Sequence, residues 1–280
     1  MAHGTGPDPM GPERGSSQEL ETLVRIGDAV QETFREASRS PQQAREVGMG
    51  ASGNPTAELD RVAEARVLSW LEHENVSWNL LSEELGFVDR GGEDVLVVDP
   101  VDGSHNALSG IPCATVSLAL GRERLSDLRV GVVQDLFLGR THWALRGRGA
   151  YLDGVRVSTR PWRPGHDLLM VNLGANATPR AHRAALSVRR VRALGCASLE
   201  MAHVAQGASD GYFSDNDPGE KNLRVTDIAA GYLLVREAGG GVHAPGAGPL
   251  DLPLDLSTRT PLLAWGDARF LEQGRGEGRW

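Results

Sequence analysis

The sequence is poor in cysteine. Its 280 residues carry two, Cys113 and Cys196. Two thiols cannot build a disulfide framework, and neither has partners at metal-ligand spacing. They read as small, buried, reduced residues of a cytoplasmic protein. No apolar stretch approaches the ~18 residues of a membrane span. The opening "MAHGTGPDPMGPERGSS" lacks a basic segment followed by an apolar one, so no secretory signal is expected. Its Gly, Pro and Ser content predicts a disordered leader over residues 1–17. Positive charge is also short. The balance of 29 basic against 37 acidic side chains gives a net charge of -8. That argues against nonspecific nucleic-acid binding, and an anionic substrate then needs local help from metal ions or helix N-termini.

What is present is ample apolar material, 40% of the chain, enough for a sizeable core. Leu20, Leu23, Val24, Ile26, Val30 and Phe34 fall near helical spacing over residues 18–38. "GASGNPTAELD" is a loop able to extend as a ribbon. From Asp60 a second helix is predicted with Val62, Ala65, Leu68 and Leu71 on one face. "EDVLVVD" reads as a fully buried strand, and Gly-punctuated strands follow to residue 160 as an antiparallel meander. Residues 161–280 alternate strand and helix. Within them, "TDIAAGYLLVREAGG" is a helix closed by Gly239 to Gly241, and a long Pro/Gly loop precedes a last strand, "LLAWG". The expectation is an α+β chain whose halves, 18–160 and 161–280, form one compact unit.

Four acidic places stand out. Asp60 opens a helix, Glu83 and Glu84 end a strand, Asp99 and Asp102 flank a turn after a buried strand, and Asp227 lies in a helix's first turn. Singly, each has an ordinary explanation: helix N-terminal acids, a solvated pair, a turn. Together they supply hard oxygen ligands from separate elements, which suits Mg²⁺ and not zinc. Shared carboxylates are able to hold two ions about 3.5–4 Å apart for in-line phosphoryl displacement. At Gly103 and Ser104 the strand hands over to a helix, where free N–H groups are expected to donate to phosphate oxygens.

"SEELG", "VVDPVDGSHNAL" and "RVTDIAAGYLLVREAGG" resemble the three motifs of the inositol monophosphatase superfamily, most nearly its archaeal-type fructose-1,6-bisphosphatase/inositol-1-phosphatase group. "GASGNPTAELDRVAE", "GVVQDLF", "GRGAYLDG" and "LGCASLEMAHVAQGASDGYF" follow the same order. The resemblance covers roughly residues 18 to 266. It implies a layered α-β-α-β-α fold, often homodimeric, and a Mg²⁺-dependent phosphatase acting on small sugar or polyol phosphates. Two or three ions are implied, with Mn²⁺ as a substitute. By resemblance, Glu83, Asp99 and the Val101 carbonyl hold the first ion. Asp99, Asp102 and Asp227 hold the second. Asp60 and the Ser104 hydroxyl activate water, and Glu84 supports the metal shell. Asp102, Gly103, Ser104 and Ala197 meet the substrate.

The chain departs from the family in places. Ser104 stands where Thr is usual, His105 is expected to pack or face solvent, and the loop "FSDNDPGEKNLRV" is acidic where relatives are basic. There Lys221 or Arg224 is expected to read a distal substrate phosphate. The arginines of "RAHRAALSVRRVR" are expected to form a solvated face. Two other readings stand beside the main one: a catalytically silent binding or regulatory member of the fold, and a nucleotide-type 2′/3′-phosphatase.

Overall fold

The computed structural model describes residues 13–40, 42–51, 53, 55–217 and 219–280. In chain order, α1 (Glu13–Ala37) is followed by a small ribbon, β1 (Glu46–Met49) with β2 (Pro55–Ala57), and by α2 (Glu58–His73). Next come β3 (Asn79–Ser82), β4 (Gly86–Val88), β5 (Val95–Asp102) and the short α3 (Ser104–Leu108). A run of strands follows: β6 (Thr115–Gly121), β7 (Val130–Asp135), β8 (Thr141–Leu145), β9 (Gly149–Leu152) and β10 (Val155–Val157). The second half holds β11 (Leu168–Val171), α4 (Pro179–Leu186), β12 (Arg190–Arg192), α5 (Ala197–Ala205) and β13 (Gly211–Ser214). It closes with α6 (Val225–Glu237), β14 (Gly241–His243), β15 (Leu262–Trp265) and α7 (Ala268–Gly276).

The first sheet runs β10-β9-β8-β7-β6-β5-β3-β4, and the second β12-β11-β13-β15-β14. Side chains alternate across a strand, so a strand buried on both faces feeds two cores. In β5, Leu96 and Val98 join the core under α1 and α2, while Val95 and Val97 join the core under α5 and α6. On the inner face Gly131 lets α6 approach closely: a Cβ there would lie 3.2 Å from the Ala230 carbonyl oxygen. Helices α5 and α6 also touch the second sheet, whose outer face is covered by α4 and α7. The order of layers is therefore α-β-α-β-α, as the resemblance implied.

The structure corrects several expectations. Helix α1 begins at Glu13, inside the segment expected as a leader, and residues 1–12 lie outside the described residues. The antiparallel meander expected up to residue 160 is present from β5 to β10, but β3 joins that sheet parallel to β5. Gly239 caps α6 with φ 97°, but Gly241 already belongs to β14. Both β14 and the terminal α7 went unforeseen. The buried stripe of α2 is Leu59, Ala63, Val67 and Leu71 together with Asp60 and Glu64. The expected Val62 and Leu68 are half-buried and Ala65 is exposed. Counting apolar residues alone rotated the face away from its two buried carboxylates.

Candidate active site

Parallel neighbours end at the same edge of a sheet. The register of β3 with β5 puts Ser82 opposite Val98, so Glu83 and Glu84 leave beside Asp99. A register irregularity between Asp99 and Asp102 in the β5–β6 pairing bends the strand there, at Pro100, which has no N–H to donate. The Asp99 carboxylate accepts the Val101 N–H at 3.1 Å, closing the bend. Gly103 then turns with φ 86° to start α3. A Cβ on it would lie 2.6 Å from the Cys113 carbonyl oxygen, so both backbone and space demand glycine.

Asp60 and Asp227 arrive by one local device. Each is the third residue of its helix and reaches back to the N-cap amide: Asp60 Oδ2 accepts from Ala57 N at 3.2 Å, and Asp227 Oδ2 from Arg224 N at 2.7 Å. This is half of a capping box. It satisfies one orphan helix donor and fixes the carboxylate while the other oxygen stays available.

Ligand atoms of Glu83, Asp99 and Asp227 lie within 4.8 Å of one another. A cavity of about 300 Å³ opens beside them, lined by Asp60, Glu83, Glu84, Asp99, Val101 and Ser104 among others. Burial is the first cause that lifts Asp60, Asp99 and Asp227, and repulsion from neighbouring carboxylates adds to it. The carboxyl of Asp99 stands well above the usual range, with Glu83, Asp102 and Asp227 contributing. Asp227 is pushed up to about 8 by burial and then Glu83, although its side chain is not wholly enclosed. Asp60 is pushed up to about 7 by burial, opposed by the Ala57 amide and reinforced by Glu84 and Glu83. Buried carboxylates this close do not all ionise without a cation. The donor set is all oxygen, close enough for one ion to bridge, and fits a hard divalent metal.

The other expected residues fall as follows. Asp102 is buried and turned toward the start of α5, accepting from Ser198 N and Ser198 Oγ at 2.6 Å each and from Ala197 N at 3.3 Å. The expected contact of Ala197 is thus, here, with Asp102. Glu84 binds the hydroxyl of Thr56 on β2, and a Cβ on Gly50 would sit 2.4 Å from Glu84 Oε2. This glutamate docks the ribbon over the cleft. Arg224, expected as an arm toward a distal phosphate, has a side chain 4% exposed with its guanidinium 3.6 Å from Glu83. Lys221 is exposed at the end of a short 3₁₀ turn. His105, expected to pack or face solvent, is exposed and also lines the cleft. Of the basic run, Arg183, Arg189, Arg190 and Arg192 are exposed, whereas Arg180 pairs with buried Asp215 at 2.8 Å.

Sequence reasoning missed four residues. Glu64 sits behind Glu83 and Glu84, Thr56 holds Glu84, and Ser198 holds Asp102. Asn106 donates to the carbonyl oxygens of Cys113 and Leu194 at 3.0 and 2.7 Å, tying α3 to the approach of α5. Only Glu64 left a signal, four residues after Asp60 on the same helix face.

Comparison with known proteins agrees with this geometry. The inositol monophosphatase family pattern matches residues 16–269. A fructose-1,6-bisphosphatase/inositol-1-monophosphatase of Methanothermobacter thermautotrophicus is 32% identical over 89% of this chain and 92% of its own. A bifunctional NADP phosphatase/NAD kinase of Methanococcus maripaludis is 30% identical over 87% of this chain, which spans 46% of that longer protein. A solved Pyrococcus horikoshii protein, described as similar to inositol-1 monophosphatase, superposes with a TM-score of 0.79 at 26% identity, covering 92% of this chain and 96% of that one. The chain belongs to the inositol monophosphatase family of phosphoric monoester hydrolases.

Proposed function

We propose that this enzyme hydrolyses small sugar or polyol phosphates, with fructose 1,6-bisphosphate and inositol monophosphate as substrates, and that it requires Mg²⁺. The observation that carries the reading is the meeting of Asp60, Glu83, Asp99 and Ser104 on one cleft, with Asp227 against Glu83 and Asp99. Glu83, Asp99 and the Val101 carbonyl would hold one ion, and Asp99, Asp102 and Asp227 another. Bound Mg²⁺ neutralises phosphoryl charge and makes water a better nucleophile. Asp60 would be the base that takes the proton of the attacking water, oriented through Ser104 Oγ. First-turn amides at Gly103 and Ser104 receive phosphate oxygens. Retention of every expected ligand residue argues against the silent reading. The two cysteines are free thiols, in keeping with a cytoplasmic enzyme, and by resemblance it works as a homodimer.

The acidic loop is less repulsive than its composition implied. Asp215 is consumed internally by Arg180 and by Thr178 Oγ1 at 2.6 Å, while Asp217 and Lys221 are both exposed. Lys221, not buried Arg224, is therefore the reader of a distal phosphate. A nucleotide-type 2′-phosphatase is the second reading, favoured by the NADP phosphatase relative. The deciding experiment is phosphate release with Mg²⁺ over fructose 1,6-bisphosphate, inositol 1-phosphate and NADP. Lys221→Ala should lower kcat/KM for the bisphosphate about five- to tenfold and leave inositol 1-phosphate unchanged, as one exposed charge contact warrants. Equal loss on both overturns the assignment of Lys221. NADP as the best substrate replaces the sugar-phosphate reading, and no release from any of them in the presence of Mg²⁺ restores the silent one.

A further inference from the structure

Glu64 has no place in the ligand set, yet it is 4% exposed directly behind it. It lies one turn after Asp60 on α2, so both carboxylates share the buried face. Its Oε1 accepts the hydroxyl of Ser82, itself fully buried, and the backbone N–H of Leu85 at 3.2 Å. The Ser82 oxygen in turn accepts the N–H of Glu84 at 3.4 Å. In the turn of residues 82–85, Ser82 and Leu85 are thus tied directly to a single carboxylate oxygen and Glu84 is tied to it through the Ser82 hydroxyl, and the residue enclosed by those ties is Glu83. Beyond it, Gly86 reverses the chain with φ 78° into β4.

We infer that Glu64 is a positioning residue for the cation site, fixing the turn that presents Glu83 and Glu84 from behind. The inference rests on the metal reading proposed above. Charge is not what Glu64 contributes, because another carboxylate beside Glu83 and Glu84 adds only repulsion. Its contribution is a fixed acceptor oxygen for two donors. Groups that orient metal ligands in this way typically change metal affinity by about 10–100-fold when removed. Glutamine keeps an acceptor oxygen at the same place, whereas alanine keeps none.

The test is isothermal titration of Mn²⁺ into the full chain without substrate, comparing wild type, Glu64→Ala, Glu64→Gln and Ser82→Ala. Glu64→Ala should weaken Mn²⁺ binding about tenfold or more, and Ser82→Ala, which removes both hydrogen bonds of the Ser82 hydroxyl but leaves Leu85 bound to Glu64, about threefold, with Glu64→Gln within about twofold of wild type. Wild-type affinity in Glu64→Ala overturns the inference. So does Glu64→Gln falling as far as alanine, since charge and not the acceptor would then matter. Should Glu64→Ala not fold, Ser82→Ala and Glu64→Gln decide: unchanged affinity in Ser82→Ala overturns the inference, and a loss there with affinity kept in Glu64→Gln supports it. Wild type that binds no Mn²⁺ sinks the metal reading itself, a different failure from a metal-binding wild type with unaffected variants.

Discussion

At the two ends of β13 in the second sheet, Asp210 and Asp215 are buried at 3% and 4% exposure, and each lies against an arginine. Arg160 grips Asp210 with Nε at 2.9 Å and Nη2 at 2.5 Å, and Arg180 meets Asp215. At the shared edge of β3 and β5 the ratio is reversed. Asp60, Glu83, Glu84, Asp99 and Asp227 crowd together, and Arg224 stands 3.6 Å from Glu83. Both places are polar and buried, but the first is balanced from within the chain and the second is left anionic. A fold gains nothing in stability from uncompensated buried charge. The imbalance itself points to a cation from outside.

The sharpest way to break this contrast is to neutralise one acid on the crowded side. Asp99→Asn should cut phosphatase turnover by about a thousandfold, the loss of several kcal/mol of transition-state stabilisation. In the metal-free protein the same change should raise Tm, because it removes repulsion. An unchanged rate, or a lowered metal-free Tm, would show that the cluster is not held under charge stress. Breaking a balanced pair should do the opposite. Arg160→Ala strands Asp210 beside the Leu168 amide and should cost about 2–3 kcal/mol in urea denaturation, less than a fully buried pair because Arg160 is one-third exposed. Its kcat should stay within about twofold of wild type at a temperature where it is folded, since Asp210 lies away from the cleft residues. A large kcat loss there would mean that the two regions are coupled.

A smaller effect separates the halves by pH. His203, on α5, is held down to about 4 by burial and then by His142, and its Nδ1 lies 2.7 Å from the Gln206 amide. A histidine whose folded value is depressed contributes stability above the unfolded value of ~6.5 and loses it as pH falls toward 4. His203→Gln should therefore flatten the loss of stability between pH 6.5 and 4. An acid limb identical to wild type would remove His203 from its cause.

The acids that meet at the cleft were legible because they cluster into motifs, and "SEELG" and "VVDPVDG" place acids where strands end. The layered fold was legible through resemblance, and the two-faced core through runs such as Val95 to Val98. What stayed hidden depended on contacts distant in sequence. The parallel pairing of β3 with β5 skips β4, and nothing local signals it. Arg224 read as a free basic residue because its partner Glu83 lies 141 positions earlier, and Asp215 read as a loop charge because Arg180 is 35 positions away. Glu64 was lost to the assumption that a buried helix stripe is apolar.

Helix α6 carries one more consequence. It belongs to the second half of the chain, yet its apolar residues, among them Ile228, Leu233 and Leu234, share a core with Val95, Val97 and Val133 of the first sheet. On a ribosome, the strands through Val157 emerge well before Val225–Glu237 is made. During that interval the inner face of the first sheet has no cover, which makes the nascent chain a client for chaperones. A fragment stopped near residue 160 would display the same naked face. It should aggregate when expressed alone and become soluble when the remaining residues are supplied in trans.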